Sequence, residues 1–321
     1  MSSAPPSVGP ALGPIAAWPA ETSARSRLAV RGRRDLSPYL MNAPATVIIL
    51  VLIVYPLADA FWTSLHRFNL KRPNVFPFVG LDNYFELVTG EQFLHSLSVT
   101  VTFTVLAVTL VMALGLGLAV LLNERFHGRA LLRSLLLIPW AIPPVASGMM
   151  WRWILDGKVG AFNGALAALG ISQAYFGWLS DPQTALLAIV GAHVWNTMPL
   201  AGLVLLAAMQ SVPAELHDAA KVDGATVLGR FKAVTLPWLV QPLMTVLILE
   251  TLLAFRVFDL VYVLTSGGPG DATTVLSWLT YQTAFTYLDL GRGNAYAFLM
   301  ALAVGILTVM YIRLLSRRGS F

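Results

Sequence analysis

The sequence predicts an all-α, polytopic membrane protein with six transmembrane helices. Three observations carry this expectation. The 321 residues are 57% hydrophobic and only 12% charged, with a mean hydropathy of +0.71. A soluble domain carries about 25% charged residues. The apolar residues fall in runs of roughly 20 or more, enough to cross a hydrocarbon layer of ~30 Å at ~1.5 Å per helical residue. Lys and Arg gather on alternate connections between these runs, as the positive-inside rule describes.

Residues 1–38 are rich in Pro, Ala and Ser, then basic at Arg25, Arg27, Arg31, Arg33 and Arg34. They hold too little apolar surface to fold alone and read as a disordered, basic cytoplasmic tail facing anionic lipid. The apolar run that follows is longer than a signal-peptide core. Residues 39–321 read as one six-helix domain. Spans are expected over 44–64, 97–122, 134–155, 184–209, 238–264 and 295–315. In the second, Gly115 and Gly117 allow another helix to approach closely. The third contains Pro139, Pro143 and Pro144, which remove backbone donors and predict a kink or break. The fourth contains Pro199, and Thr265 to Gly270 makes a tight turn after the fifth. Of the 21 Lys and Arg, 14 lie in the N-terminal segment, the turn after span two, residues 213–237 and the C-terminal segment. An even span count with that asymmetry places both termini in the cytoplasm.

Residues 213–237, PAELHDAAKVDGATVLGRFKAVTLP, form a polar island between two strongly apolar stretches. Glu215, Asp218, Lys221, Asp223, Arg230 and Lys232 keep it in water. Pro213 suits a first helical position, Leu216, Ala219 and Ala220 share one face, and Gly224 suits a left-handed break. A second helix then carries Leu228, Phe231 and Val234, with Pro237 expected to end it. Two short helices around a turn, apolar on one face and charged at the rim, suit a plug for another protein's groove.

Several chemistries are excluded. There is no cysteine, no G-x-x-x-x-G-K-[ST], no H-E-x-x-H and no histidine pair at ligand spacing. The acids show no dyad spacing. We therefore expect no catalytic residues, no metal site, no cofactor and no nucleic-acid partner. The charges that matter lie in the spans. Glu250, Arg256 and Asp259 interrupt the fifth. Charges at bilayer depth face a cavity or one another. Arg256 and Asp259, three apart, either lock helix packing as an ion pair or line a pathway. Trp195, Asn196 and Thr197 in the fourth span either pack between helices or offer an aromatic plate and polar groups to a sugar.

The island resembles the EAA loop of ABC importer permeases, Glu-Ala-Ala-x3-Gly-x9-Ile-x-Leu-Pro. Here it reads Asp218-Ala219-Ala220, Gly224, Val234, Leu236-Pro237, with Asp for Glu and Val for Ile. Residues 78–84, FVGLDNY, are similar to a segment of the sugar-importer branch. The resemblance covers nearly all of residues 38–318 and implies a type I ABC importer permease fold of the MalF/UgpA type. It implies a non-enzymatic subunit of the bacterial inner membrane, carrying a di- or oligosaccharide such as trehalose or a maltose-like sugar. Implied partners are a second homologous permease, two ATPase subunits, an extracytoplasmic substrate-binding protein and membrane lipid. The resemblance assigns Asp218, Ala219, Ala220, Asp223, Gly224, Ala225, Phe231, Leu236 and Pro237 of loop 211–237 to ATPase coupling, with Asp218 facing a basic group. It assigns Trp195, Thr197, Leu200, Phe255 and Arg256 to the substrate pathway, to which the polar side chains read above add Asn196 and Asp259. The maltose permease's Trp-x-Gly-x-Pro-Tyr run falls on Trp195, Thr197 and Leu200, and its Phe-Asn pair on Phe255 and Arg256. Only the Trp and Phe types are kept. The alternatives are an ion-coupled transporter using Arg256 and Asp259, or a membrane scaffold or enzyme subunit.

Overall fold

The computed structural model describes residues 37–172 and 174–318. The predicted basic tail lies almost wholly outside the described residues. The chain divides between Ile53 and Val54 into two units. In the first, the described helix Ser37–Ile49 leads into the wide turn Leu50–Val54, and the apolar side chains from Val47 to Val54 are exposed. Together with the helix that follows, this stretch makes a span, α1 (Met41–Ser64).

The second unit carries the remaining helices: α2 (Asp82–Val88), α3 (Glu91–Asn123), α4 (Arg129–Ala141), α5 (Pro144–Ile154) and α6 (Ala161–Ala168). They continue as α7 (Pro182–Gln210), α8 (Ala214–Val222), α9 (Val227–Phe255), α10 (Asp259–Leu264), α11 (Leu276–Tyr281) and α12 (Leu290–Arg318). The described residues contain no β-strand, and five helices are long and apolar enough to cross a membrane, six if α4 and α5 count as one bent span. The all-α, polytopic expectation stands.

The centre of the bundle is α7. Some 61% of its apolar window is buried, against 33% for α3 and α9. It lies along α3, where Gly115 and Gly202 meet. A Cβ on Gly202 would fall 2.8 Å from Leu118 and 3.2 Å from the Gly115 carbonyl. Two missing side chains therefore set this helix–helix distance, in an environment where packing rather than water exclusion holds helices together. Gly117, also expected at a contact, has nothing within 4 Å. Phe103, Val111, Ile189, Val190, Leu205 and Leu239 fill the interface and are fully buried.

The third span breaks as its prolines require, with 96° between α4 and α5. Pro143 has no N–H for the carbonyl of Pro139, four residues earlier. Asn196 of α7 supplies the missing donor: its amide bonds the carbonyls of Pro139 (2.5 Å) and Ile142 (3.2 Å). A freed carbonyl in a dry interior needs such a partner. The C-terminal end of α1 is closed in the same way. Asn83 of the FVGLDNY segment, 1% exposed, donates to the carbonyls of Ser64 (2.8 Å) and His66 (2.9 Å), and the Tyr84 hydroxyl meets Ser64 Oγ at 2.6 Å. That segment is a structural clamp.

The fifth span corrects the sequence reading. Its helix stops at Phe255 rather than running to residue 264, and α10 starts afresh at Asp259. The Ser277 hydroxyl donates to the Val257 carbonyl inside the break, so a tertiary contact replaces a helical bond there. Arg256 is the exposed C-cap of α9. It and Asp259 are on different helices and form no ion pair among the described residues.

The broken span yields one expectation. Asn196→Leu leaves two carbonyls without a donor and should destabilise the protein by about 1–3 kcal/mol. The check is thermal unfolding in detergent: a lowered midpoint is expected, and an unchanged one would mean that the bracket is dispensable.

Candidate coupling hairpin and intramembrane polar cluster

The polar island folds as two helices around a turn. Pro213 is the N-cap of α8 rather than its first residue. At the other end, Gly224 adopts φ +76°. The Ala225 N–H reaches back to the Ala220 carbonyl (2.9 Å) and the Gly224 N–H to that of Lys221 (3.0 Å). This pair of bonds is the Schellman closure, which needs a left-handed residue at Gly224 and a small contact between Ala220 and Ala225. Thr226 then caps α9, its hydroxyl accepting from the Gly229 N–H (3.2 Å). Arg230 donates to the Ala225 carbonyl (3.2 Å) across the turn.

Pro237 does not end the second helix, which runs unbroken into the fifth span. The ladder absorbs the missing N–H by widening into a π-turn over Phe231–Thr235, where the Leu236 N–H bonds the Phe231 carbonyl five residues back. Phe231 packs against the buried core, and the Trp238 indole N–H donates to Ser211 Oγ (3.2 Å). Phe231 thus points inward and, with Trp238, fastens the hairpin to the bundle. Asp218, Ala219, Asp223, Gly224 and Pro237 are exposed, while Ala220, Ala225 and Leu236 are half-buried. Leu216, Val222, Val227 and Leu228 are apolar yet 43–88% exposed on this polar segment, the signature of a protein contact. Asp218 already has a partner, Lys221 Nζ at 2.8 Å. That bond and the lysine's charge hold its carboxyl below the usual range.

Inside the membrane, α7 and α9 bring polar groups together. Trp195 is half-buried and meets Trp151 edge-on, centroids 5.8 Å apart. Thr197 bonds the His193 carbonyl (3.1 Å) and faces the carboxyl of Glu250. Glu250 is 4% exposed, and its Oε2 has no hydrogen-bond partner among the described residues. His193 Nε2 is likewise buried and unpartnered, one turn from Thr197.

The expected pathway residues therefore separate. Thr197 and Glu250 meet, whereas Trp195, two residues before Thr197 on α7, turns to Trp151 of α5. Asn196 spends its donors on the broken third span. Leu200 is half-buried one turn along α7. Phe255 belongs to a second apolar cluster with Leu87, Phe93 and Leu279. Arg256 and Asp259 sit at the α9–α10 break. The sequence signal for Glu250 was its isolation: a carboxyl in an apolar run with no basic residue three or four positions away.

The turn geometry can be tested. A Cβ at Gly224 meets nothing within 4 Å, so only its positive φ resists substitution. Gly224→Ala should cost about 1–2 kcal/mol and speed exchange of the Ala225 amide by roughly 5- to 30-fold. Gly224→Asn, which tolerates that conformation, should cost less. Equal exchange in both variants and the parent would remove the role given to this turn.

Comparisons with known proteins agree with this geometry. Residues 111–318 match the family described as the binding-protein-dependent transport system inner membrane component. The trehalose/maltose transport system permease protein MalF of Thermococcus litoralis is 44% identical over 278 residues, 86% of this chain and 92% of that protein. The sulfoquinovosyl glycerol transport system permease protein SmoG of Agrobacterium fabrum is 35% identical over 276 residues, 86% of this chain and 89% of that protein. The fold matches a chain of a bacterial ABC transporter that imports the acidic polysaccharide alginate, with a TM-score of 0.77 at 22% identity over 90% of this chain and 97% of that one. This chain belongs to the binding-protein-dependent transport system inner-membrane components, and it is a multi-pass ABC permease subunit, a transport component rather than an enzyme.

Proposed function

We propose that this subunit carries a pyranoside across the inner membrane past Trp195, Thr197 and Glu250, driven by ATPase subunits docked on the α8–α9 hairpin. The observation that carries the pathway is the free Oε2 of Glu250, an acceptor in a dry interior beside the Thr197 hydroxyl. An acceptor that lacks a protein donor at bilayer depth suits the hydroxyl donors of a passing sugar. The MalF relative, named for trehalose and maltose, supports a neutral disaccharide. Arg256 and Asp259, unpaired with each other and split between two helices, no longer favour an ion-coupling site.

The assembly in this proposal has a second permease subunit, two ATPases and an extracytoplasmic binding protein. Both termini and the hairpin face the cytoplasm, as the Lys and Arg asymmetry supports. Closure of the ATPases pushes the hairpin's exposed apolar face. The hairpin is fused to α9 and pinned by Phe231, so the push tilts the span that carries Glu250. Access alternates by rigid-body motion, and the permease makes and breaks no covalent bond.

The experiment is uptake of labelled trehalose by the complete complex in proteoliposomes. Losing one hydrogen bond to the Glu250 carboxyl costs about 0.5–1.5 kcal/mol, so Glu250→Ala should slow uptake about two- to tenfold. Trp195→Ala should act in the same direction, whereas Phe255→Leu, in a packed apolar cluster, should transport normally. Normal uptake by both Glu250→Ala and Trp195→Ala would overturn this pathway.

A further inference from the structure

A cavity of about 550 Å³ lies between α5 and α10 and is lined by Met149, Arg152, Trp153, Asp156, Tyr262 and Ser266. Its volume falls within the ~300–1,000 Å³ of small-molecule sites. It stands at the end of the bundle away from the hairpin. The Asp156 carbonyl accepts from Asn163 (3.2 Å), which also accepts from the Trp178 indole (2.9 Å), and the Trp178 carbonyl accepts from Thr184 in the first turn of α7 (2.8 Å). The hairpin follows the other end of α7, 29 residues on.

The lining is fixed, and its hydrogen-bonding capacity is unspent. Trp153 is 68% exposed and Tyr262 45% exposed, and neither the indole N–H nor the phenol has a partner among the described residues. The Tyr262 ring is held by Phe258, Tyr281 and Trp278, with centroids at 5.6, 5.6 and 5.8 Å. Arg152 uses one N–H on the Val263 carbonyl (3.2 Å), which positions the guanidinium and leaves its other donors free. Asp156 Oδ1 accepts the backbone N–H groups of Val159 (2.9 Å) and Lys158 (2.8 Å). These two bonds hold its carboxyl below the ordinary range, so it is ionised with Oδ2 open. The site therefore offers two aromatic faces, a donor fork and a charged acceptor. A pyranose matches that set, with flat C–H faces for the rings and vicinal hydroxyls that donate to Asp156 and accept from Arg152. An anion would meet the Asp156 charge, and an acyl chain would leave both charges unpaired.

We propose that this cavity is a pyranose subsite at the outer mouth of the pathway, receiving the sugar before it reaches Trp195 and Glu250. Helix α5 joins the two sites: Trp151 meets Trp195, and Trp153, two residues on, lines the mouth. The proposal rests on the sugar-permease function above.

The test uses the complete complex with trehalose as probe. Trp153→Ala, Tyr262→Ala and Asp156→Asn should each lower uptake at least fivefold with the subunit composition unchanged. Saturation transfer from the protein to trehalose, measured without the binding protein, should weaken in Trp153→Ala and persist in Phe85→Ala, an exposed aromatic elsewhere. Parent-level uptake and saturation transfer in all three variants would overturn the subsite and leave the sugar-permease function standing. Loss of the second permease from purified Trp153→Ala would assign the cavity to a subunit interface and also overturn it. A parent complex that takes up neither trehalose nor maltose would overturn both proposals.

Discussion

One continuous helix ties the parts of this protein together. From its cap at Thr226, α9 runs through the π-turn and Pro237 to Phe255 without a break. Its 29 residues span about 43 Å at ~1.5 Å per residue. The Gly224 turn stands at one end and Glu250 near the other. A flexible joint between them would absorb a push on the hairpin before it reached the membrane interior. The π-turn prevents such a joint: it keeps the helix intact where Pro237 removes a donor, and Phe231 pins that point to the core.

The bundle obeys a second constraint, that backbone groups in a dry interior must be paired. The third span breaks at its prolines, and Asn196 takes up the carbonyls left open there. Asn83 does the same at the C-terminal end of α1. Thr100, fully buried on α3, bonds the Ser96 carbonyl (2.7 Å) and accepts the Leu276 N–H (2.9 Å), which fixes the start of α11. The Oε2 of Glu250 and Nε2 of His193 are two of six buried side-chain atoms without a partner among the described residues. Glu250 faces Thr197 across the α7–α9 contact, whereas His193 lies against Phe103 of α3.

Much of this was legible in the sequence, and the rest has physical reasons for being hidden. Long apolar runs gave the spans, clustered prolines the break in the third, and Gly224 the left-handed turn. Arg256 and Asp259 mark the end of α9, but the apolar residues that resume up to Leu264 made the stretch read as one span. The bond from Ser277, twenty positions on, is what holds the break. Pro237 looked like a helix end, but a wider turn one step earlier accommodates it. Asp218 was read as facing a partner protein, although Lys221, three positions on in the same helix, is within its reach. Asn196 resembled a sugar ligand until the prolines of another span claimed its donors. The mouth cavity combines residues more than a hundred positions apart, beyond any local pattern.

The central claim is that the exposed face of the α8–α9 hairpin is where the ATPases dock. The chain contains no cysteine, so Val222→Cys, at a site 88% exposed, would be its only thiol. The measurement is its rate of modification by a water-soluble maleimide in the purified permease pair, with and without the ATPase subunits. Docking predicts rapid modification of the pair alone and at least tenfold slower modification once the ATPases are bound, with Val159→Cys at the opposite end unaffected. An equal rate at Val222→Cys in both states would contradict it.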